Sequence, residues 1–477
     1  MMTSDAVRVA AVDLGATSGR VILGEVGQGE VRMRQVARFP NGPVALADGL
    51  HWNVVELYRS VLAGLREVDE VAAIGIDSWA VDYALLRRGT MLGVPFHYRD
   101  ERNARAAEAL HARIPFAELY ARNGLQYLPF NTVYQFAAEV AAGGAIEVAD
   151  RALLIPDLLA FWLTGAEVAE RTNASTTGLL GLGGEWDLEL AGRVGVPAGL
   201  LPPLVDPGDE IGVVRGEAAS ATGLGGVPVL AVGSHDTASA VVGVPMTDPD
   251  VAFISCGTWG LVGVELAAPL VTDSAREANF TNERGVDGRT RFLKNVMGLW
   301  VLSETVREWE REGEPVDLTT LLAAARDVTA PQPVFDVADP VFAAPGDMAT
   351  RIRAWLSERA MPVPATRAEL ARSIVESLAA AFAEAVRLAA EVSGVRVRAV
   401  HLVGGGSLNE LLCQLTADRA GLPVIAGPVE ATALGNVVVQ ARALGAVSGS
   451  LESLRALIAG SVELRRYEPR VGDSAAV

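Results

Sequence analysis

Residues 7–26 read VRVAAVDLGATSGRVILGEV, and this stretch decides the fold class that we predict. Two apolar runs flank a short turn with two glycines, which is typical of a β-hairpin. Glycine permits positive φ, so successive N–H groups of the turn can face one anion, and the hydroxyls of Thr17 and Ser18 add donors. The first run ends in Asp13, a carboxylate suited to a hydrated Mg²⁺ ion. This segment predicts an anion-binding hairpin, although a plain hairpin turn is equally consistent with these residues.

Residues 251–266, VAFISCGTWGLVGVEL, repeat this plan of strand, small-residue turn and strand. The similarity lies in the pattern rather than in the letters, so two unrelated hairpins are the simpler interpretation of these segments alone. Between them, GVPMTDPD at 243–250 is rich in turn residues, and we place the domain boundary there. The predicted domains are 1–245 and 246–477. Buried strands alternate with helices in both, which predicts α/β layers.

Composition excludes several classes of protein. Half of the 477 residues are hydrophobic and 21% are charged, as in ordinary globular proteins. The 58 acidic and 40 basic residues give a net charge of −18, so we expect no nucleic-acid partner. Lys294 is the only lysine and no P-loop motif occurs. Cys256 and Cys413 cannot form a disulfide framework, and no apolar run reaches about 18 residues, so we expect a cytoplasmic protein without a membrane partner.

The segment Ser234-His-Asp-Thr237 follows a buried strand, GVPVLAVG, and carries a candidate catalytic carboxylate. A side chain at a strand end is directed into a cleft, where Asp236 could accept a hydroxyl proton during phosphoryl transfer. The alternative is an aspartate that caps the following helix. Trp79 and Asp82, which follow another buried strand, suit a sugar face and its hydroxyls, and a half-buried core tryptophan is the alternative.

Gly404-Gly-Gly406 stands between a predicted strand and a predicted helix. Bare backbone there lets a flat ligand approach, and the helix N-terminus favours negative charge. The letters do not match G-x-G-x-x-G, so they give a dinucleotide fold little support. The turn Ser255-Cys-Gly-Thr258 corresponds to the turn of the first hairpin. For this turn and for Gly404-Gly-Gly406, the alternative is a tight turn that binds no ligand.

The chain resembles the FGGY carbohydrate kinases over nearly its whole length, and within them the branch that acts on L-rhamnulose. The resemblance rests on VDLGATSGR at 12–20, GIDSWAVDY at 75–83, YRDERN at 98–103, GLQYLPFNTVYQF at 124–136, LLIPDLLAFWLTG at 153–165, NASTTGLL at 173–180, GSHDTASAV at 233–241, SCGTWGLVG at 255–263, NFTNERGVDGRTRFLKNVMGLW at 279–300 and HLVGGGSLNELLCQLTADRAGLPVIAGPVEATALGN at 401–436. It implies two actin-like ATPase domains with ribonuclease-H-like sheets, which flank a central cleft.

The resemblance also implies an activity, the phosphorylation of L-rhamnulose to L-rhamnulose 1-phosphate with ATP and Mg²⁺, by a monomer or a homodimer. A kinase for L-fuculose or a xylulose is the first alternative, and an actin-like ATPase that modifies no sugar is the second. A Schiff-base enzyme would have to use Lys294. The residues that match the family motifs are Asp236 as catalytic base, Ala16, Thr17, Ser18, Gly19, Arg20, Thr258, Gly404 and Gly405 for ATP, Ala80, His235, Asp236, Thr237 and Asn295 for the sugar, and Asp13 for the metal.

Two positions depart from the family pattern. Ala80 stands where the family usually has a glycine whose carbonyl meets the sugar, and alanine preserves that carbonyl unless the site needs positive φ. Ser303 and Glu304 occupy the region where the family tends to have a glutamine that reaches the nucleotide.

Overall fold

The predicted first hairpin forms, because strand β1 (Val7–Leu14) pairs antiparallel with β2 (Ser18–Gly27) along its whole length. The computed structural model describes residues 6–27 and 29–470. The chain divides into two units. Unit 1 comprises residues up to Thr247 together with Glu265–Phe292 and Ala431–Ser461, and unit 2 comprises Asp248–Val264, Leu293–Glu430 and the residues from Val462 onward.

The remaining strands are β3 (Glu30–Pro40), β4 (Pro43–Leu46), β5 (Gly49–Trp52), β6 (Ala73–Ser78), β7 (Tyr83–Arg87), β8 (Thr90–Met91), β9 (Arg151–Leu154), β10 (Ala169–Glu170), β11 (Leu204–Val205), β12 (Glu210–Val213), β13 (Pro228–Leu230), β14 (Val251–Cys256), β15 (Trp259–Leu266), β16 (Thr281–Arg284), β17 (Thr290–Met297), β18 (Ala399–Val403), β19 (Val424–Ala426) and β20 (Arg465–Tyr467).

The helices are α1 (Val54–Arg66), α2 (Arg102–His111), α3 (Phe116–Asn123), α4 (Thr132–Ala142), α5 (Ala145–Val148), α6 (Ile155–Thr164), α7 (Arg171–Ala174), α8 (Leu188–Val194), α9 (Gly216–Thr222), α10 (Asp236–Gly243), α11 (Asp273–Glu277), α12 (Trp300–Arg311), α13 (Leu318–Arg326), α14 (Met348–Glu358), α15 (Arg367–Ser393), α16 (Glu410–Ala420), α17 (Ala431–Ala443) and α18 (Leu451–Ser461).

The main sheet of unit 1 has the strand order β12-β13-β6-β1-β2-β3. β1 pairs parallel with β6, and β6 pairs parallel with β13, whereas β1, β2 and β3 form an antiparallel meander. Six successive residues from Val9 to Leu14 are buried, as the continuous apolar run predicts for a central strand. Helices such as α1, whose apolar face includes Leu57 and Val61, cover the sheet.

Within unit 2 the strands follow the order β17-β15-β14-β18-β19-β20. β14 pairs antiparallel with β15 and parallel with β18, and β18 pairs parallel with β19. β14 thus occupies in this sheet the place that β1 occupies in the sheet of unit 1. The two hairpins that looked unrelated by their letters are therefore equivalent parts of one repeated topology.

The longest helix, α15, begins where the sequence signal for a helix start lies. Thr366 accepts a hydrogen bond from the amide of Glu369, whose carboxylate in turn accepts from the amide of Thr366, which forms a capping box. Leu370, Ile374 and Leu378 are fully buried along one face of the helix. In the described part of the chain, no helix combines the length and the apolar character that crossing a membrane requires.

The α17 segment packs into unit 1, although it follows most of unit 2 in sequence. A Cβ atom on Gly435 of α17 would collide with the carbonyl oxygen of Ser239 on α10. Gln440 donates to the carbonyl of Ala10 on β1 at 3.0 Å, and Asn436 donates to Asp77 at the end of β6. α17 therefore supports both the first strand of the chain and the helix that begins at Asp236.

Candidate active site

Three chain segments meet at one edge of the unit 1 sheet, at the carboxyl ends of its parallel strands. Asp13 near the end of β1 is the register partner of Asp77 on β6. Ser78 forms a bridge with His235, and its amide donates to the carbonyl of Ser234 at 2.9 Å. Ligands of α/β sheets commonly bind outside these strand ends. The structure brings together the first hairpin, the loop after β6 and the start of α10, as the predicted site requires.

The turn between β1 and β2 presents free amides. Gly15 donates its N–H to the carbonyl of Ser18 at 2.9 Å and closes the turn. Within the described residues, the amides of Ala16 and Thr17 have no protein acceptor. Gly19 at the start of β2 is buried, and a Cβ atom there would collide with the side chains of Phe39 and Leu14, so a larger residue would require these to move. The turn is arranged to offer N–H and hydroxyl donors to an anion.

Asp13 is the carboxylate that best fits a hydrated Mg²⁺ ion. Its side chain is buried, and its Oδ2 lies 2.8 Å from Nη2 of Arg20. The neighbouring Asp77 accepts a hydrogen bond from Asn436 at 2.6 Å and keeps Oδ1 without a donor among the described residues. Desolvation, followed by the charge of Asp13, raises the pKa of Asp77 well above its usual value, and Asp236 adds to the rise.

No group of three or more His, Cys, Asp or Glu side chains in residues 6–27 and 29–470 is arranged to hold a metal ion by itself. Mg²⁺ commonly binds through one or two carboxylates and keeps the rest of its coordination shell for water and substrate phosphates. Asp13, with the undonated oxygen of Asp77 in register beside it, fits a Mg²⁺ ion that arrives with a nucleotide.

Asp236 is the first residue of α10, and it does not cap that helix. The N-cap is His235, and no side chain makes a capping hydrogen bond. Thr237 Oγ1 donates to Oδ1 of Asp236 at 3.1 Å, whereas Oδ2 has no donor among the described residues. The side chain is 31% exposed. Desolvation raises the pKa of Asp236 above its usual value, and His235, Thr237 and the nearby charge of Arg291 reduce the rise. The carboxylate thus has one fixed oxygen and one available oxygen.

Ala80 lies in a tight turn after β6. Its carbonyl accepts the amide of Asp82 at 3.0 Å, and Val81 between them has a φ of 71°. This is the pattern of a γ-turn with positive φ, which is strained for a β-branched residue. Thr132 and Gln135 donate to the carbonyl of Val81 at 2.6 and 3.3 Å and hold the turn. The residue with positive φ is therefore Val81 and not Ala80. The alanine that replaces the family's glycine causes no backbone strain at this position.

The interpretation of Trp79 and Asp82 as sugar contacts is wrong. Asp82 is buried and accepts hydrogen bonds from the indoles of Trp52 and Trp79 at 2.5 and 3.0 Å, from the amide of Tyr98 and from Gln135. Trp79 is also buried and packs on Trp52 with ring centroids 4.1 Å apart. Both side chains are parts of an interior network, because donors from other segments occupy the carboxylate.

In unit 2, two predicted segments meet at the matching edge of the second sheet. Ser255 on β14 is the register partner of Val403 on β18, so the turn that contains Thr258 lies beside Gly404. Gly404 has a φ of 81°, and a Cβ atom there would lie 2.8 Å from the carbonyl oxygen of Cys256. Nothing lies within 4 Å of the Cβ position of Gly405, which leaves open space for a ligand. The remaining predicted residue, Asn295, is on β17.

The family model for the N-terminal domain of the FGGY carbohydrate kinases matches residues 9–243, and the model for the C-terminal domain of the same family matches residues 252–444. The chain belongs to the FGGY family of carbohydrate kinases. Its two α/β units have the actin-like fold of that family, as the resemblance implied, and the protein is a carbohydrate kinase.

Relatives in this family are similar over almost their whole length. The rhamnulokinases of Bacteroides thetaiotaomicron, Pectobacterium atrosepticum and Bacillus subtilis are 39%, 41% and 36% identical to the chain, over 96%, 97% and 96% of it and 95%, 93% and 95% of the relative.

Solved structures support the fold. The xylulose kinase of Rhodospirillum rubrum superposes with a TM-score of 0.76 at 20% identity, over 97% of this chain and 94% of that one. The glycerol kinase of Plasmodium falciparum with ADP superposes with a TM-score of 0.76 at 15% identity, over 98% of this chain and 95% of that one.

Glu304, which departs from the family pattern, has a structural role in unit 2. Its buried carboxylate lies 2.6 Å from Nη1 of Arg307 and accepts the amide of Gly346 at 2.9 Å. These partners satisfy both of its oxygens. The glutamate therefore anchors the loop before α14 to α12 and does not replace the family's glutamine as a nucleotide contact.

Sequence reasoning missed three charged residues next to the candidate base. Glu170 accepts hydrogen bonds from both the amide and the hydroxyl of Ser234, and Glu283 and Arg291 contact His235. Charged residues are usually exposed, so nothing in a local pattern marks these three as buried. The one signal is an arginine inside the apolar run TRFL at the start of β17.

Proposed function

We propose that this kinase transfers the γ-phosphoryl group of ATP to the 1-hydroxyl of L-rhamnulose. Full-length relatives named rhamnulokinases at about 40% identity support the choice of sugar. The single observation that carries the chemistry is the carboxylate of Asp236, whose Oδ1 is held by Thr237 while Oδ2 lacks a donor among the described residues. A carboxylate in this state can accept the proton of an incoming hydroxyl.

In the proposed mechanism, His235 and Thr237 orient the sugar and the base, and Oδ2 of Asp236 takes the hydroxyl proton as the phosphoryl group transfers. A loose transition state demands little of a base until late, so position matters more than basicity. Ala80 and Asn295 complete the proposed sugar contacts.

The amides of residues 16–20 and Thr258 are proposed to bind phosphate oxygens, and Gly404 and Gly405 the adenine. Asp13 would hold Mg²⁺, which when bound neutralises charge on the phosphates. We assign the base, the sugar contacts other than Asn295 and the phosphate contacts of residues 16–20 to domain 1–245, and we assign Thr258, Gly404 and Gly405 to domain 246–477.

The cell compartment and the assembly are also proposals. The reaction consumes ATP, and Cys256 and Cys413 are free buried thiols, which suits the cytoplasm, where thiols stay reduced. We expect a monomer or a homodimer, which sedimentation of the full chain will distinguish.

A panel of ketoses tests the proposal. L-rhamnulose, L-fuculose, D-xylulose and L-xylulose are each supplied with ATP and Mg²⁺ in a coupled assay for ADP, with a reaction without sugar as the control. We expect the highest kcat/KM for L-rhamnulose, a phosphate on C1 by ³¹P NMR, and no turnover with EDTA. A higher kcat/KM for another ketose would replace the substrate, and equal ADP release without sugar would favour an ATPase that modifies no sugar.

A further inference from the structure

Next to the candidate base lies a buried ion pair within the family-like stretch 279–300, and neither the resemblance nor the proposed function assigns a role to its two residues. Arg291 on β17 is 0% exposed, Glu283 on β16 is 7% exposed, and Nη1 of the arginine lies 3.0 Å from Oε2 of the glutamate. Both side chains contact the imidazole of His235, whose other nitrogen faces Asp236. A buried ion pair seldom adds stability over an apolar pair of the same volume, so another role for this one is worth testing.

Arg291 and Glu283 favour opposite protonation states of Nδ1 of His235. Arg291 Nη2 lies 3.1 Å from Nδ1 in hydrogen-bond geometry, and a guanidinium group can only donate. Oε2 of Glu283 lies 3.3 Å from the same Nδ1, a longer contact, and this oxygen takes part in no hydrogen bond of normal geometry. The better aligned partner is therefore the donor, which requires a lone pair on Nδ1.

A lone pair on Nδ1 of a neutral imidazole places the proton on Nε2. Nε2 of His235 lies 3.4 Å from Oδ1 of Asp236, the same oxygen that accepts from Thr237. This contact is longer than a hydrogen bond of normal geometry, so an N–H at this position attracts Oδ1 mainly by its electrostatic field. Both donors then act on one oxygen of the carboxylate and leave Oδ2 for the substrate.

We propose that Arg291 is a positioning residue, which fixes His235 in the Nε2–H tautomer so that the imidazole orients the carboxylate of Asp236. This inference rests on the proposed function, in which Asp236 is the base. In this proposal, Glu283 balances the charge of the buried guanidinium group of Arg291 and does not accept a hydrogen bond from the imidazole of His235. Glu283, Glu170, Asp236 and Glu265 all favour the charged form of Arg291, so three carboxylates still act on the arginine when Glu283 is replaced.

The tautomer is measured directly on the full-length enzyme. The chain has five histidines, so a long-range ¹H–¹⁵N spectrum of protein labelled with ¹⁵N-histidine is simple, and the signals missing from His235→Gln assign the residue. We expect the pattern of the Nε2–H tautomer at pH 7.5. An Nδ1–H or imidazolium pattern would overturn the proposal. This readout does not depend on which sugar the enzyme accepts, so it remains decisive if L-rhamnulose is not phosphorylated.

Two variants that differ only at position 291 separate the roles of the pair. Glu283→Gln keeps the arginine donor, and we expect it to keep the tautomer and a kcat within about threefold of the wild type. The double variant Arg291→Met/Glu283→Gln removes the donor and the charge together, which avoids an unpaired buried charge. We expect it to lose the Nε2–H pattern and at least tenfold in kcat, with the KM for ATP unchanged.

The pH profile distinguishes positioning from a loss of folded enzyme. The charges of Arg291 and Glu283 oppose each other and are removed together, so the main change at Asp236 is the loss of the N–H that faces it. A carboxylate that loses such a group has a higher pKa, so the acid limb of kcat/KM in the double variant should move to higher pH. The other groups that act on Asp236 are Thr237 of α10 and Asp77 of β6, and both stay in place. A smaller active fraction would lower kcat without moving this limb, and that outcome would overturn the proposal.

A second ion pair of unit 1 provides the matched control. Arg122 pairs with Asp187 through two hydrogen bonds of 2.7 and 2.8 Å, and neither residue belongs to the proposed site. Arg122→Gln/Asp187→Asn should lower the melting temperature and leave kcat, the acid limb and the histidine spectrum unchanged. This pair is partly exposed, at 26% and 16% of its side chains. A loss of kcat in this control as large as in the Arg291 double variant would show that removing any ion pair of unit 1 has the same effect, and the proposal would fail.

Discussion

Glu170 holds Ser234 by two hydrogen bonds to one carboxylate oxygen, from the serine amide at 2.9 Å and from its hydroxyl at 2.8 Å. Thr172 donates to the same carboxylate through its amide and its hydroxyl. Ser234 is followed directly by His235 and Asp236. The fully buried side chain of Glu170 therefore fixes the backbone that positions the candidate base.

Replacement of Glu170 by glutamine should therefore reduce both stability and activity. The new NH₂ group would face N–H and O–H donors, and an unsatisfied buried group costs about 3 kcal/mol of unfolding free energy. We expect kcat to fall about tenfold, because a small displacement of a reacting group is costly. Urea unfolding and steady-state kinetics measure the two effects. Glu217→Gln, an exposed site in the same unit, should change the unfolding free energy by less than about 0.5 kcal/mol.

Asp236→Asn should lower kcat by a factor of about 10²–10⁴, the usual contribution of a general base. The amide is the same size as the carboxylate, so we expect the KM values and the melting temperature to stay close to those of the wild type. The ADP assay with saturating sugar measures the effect, and Asp327→Asn on the exposed surface serves as the control. A rate within threefold of the wild type would remove Asp236 from the chemistry.

Asp82 should make stability depend on pH. Desolvation raises its pKa from 3.8 to about 7, against the effect of its four hydrogen-bond donors. The folded state then binds the proton more tightly than the unfolded state does. This contribution to stability is present in full below pH 4 and is lost as the pH rises to 7.

The free energy of unfolding of the wild type relative to Asp82→Asn should therefore fall by about 4 kcal/mol over this range. Urea titrations at half-unit intervals measure the difference, which should level off above pH 7. A difference that rises with pH would contradict the raised pKa.

Gly435→Ala should disturb the helix that begins at Asp236. The added methyl group would meet the carbonyl oxygen of Ser239 on α10, and overpacking of this kind costs about 1–3 kcal/mol. We expect a lower melting temperature and a kcat reduced several-fold, because α10 must move. Gly192 on α8 has open space at its Cβ position. Gly192→Ala should instead raise stability by about 0.5–1 kcal/mol and leave kcat unchanged.

Arg20→Gln should weaken nucleotide binding. The arginine neutralises Asp13 at the hairpin, so its loss places an uncompensated carboxylate near the proposed phosphate site. We expect the KM for MgATP to rise about tenfold, within the range of one charge-assisted hydrogen bond, and the KM for the sugar to stay the same. Arg34→Gln on the exposed side of β3 is the control. An unchanged KM for MgATP would remove Arg20 from the phosphate site.

Features that depend on neighbours in sequence could be predicted. The hairpin around Asp13, the strand that leads to Asp236 and the capping box of Thr366 and Glu369 all have local signals, because turns and caps use specific residue types. The order of strands in the two sheets could be inferred only through the resemblance, since the two hairpins share a pattern and few letters.

Features that depend on distant segments could not be predicted. Asp82 follows a buried strand and Asp13 lies near the end of one, but the carboxylate of Asp82 is occupied by the indole of Trp52 from a distant segment, together with that of the nearby Trp79. Arg291 and Glu170 are charged residues in the interior, where only the assembled structure supplies their partners. Asn436 lies 359 positions from Asp77, and no pattern in α17 indicates which strand it will meet.

The hydrogen bond between Gln440 and the carbonyl of Ala10 joins residues 430 positions apart, which has a consequence for biosynthesis. A ribosome that adds 5–20 residues per second takes roughly 20–90 s to translate that interval. During this time the nascent chain exposes the apolar surface that α17 will cover. β1, the first strand to be synthesised, thus contacts α17 only near the end of translation. Chaperones have a long interval in which to bind the exposed strand.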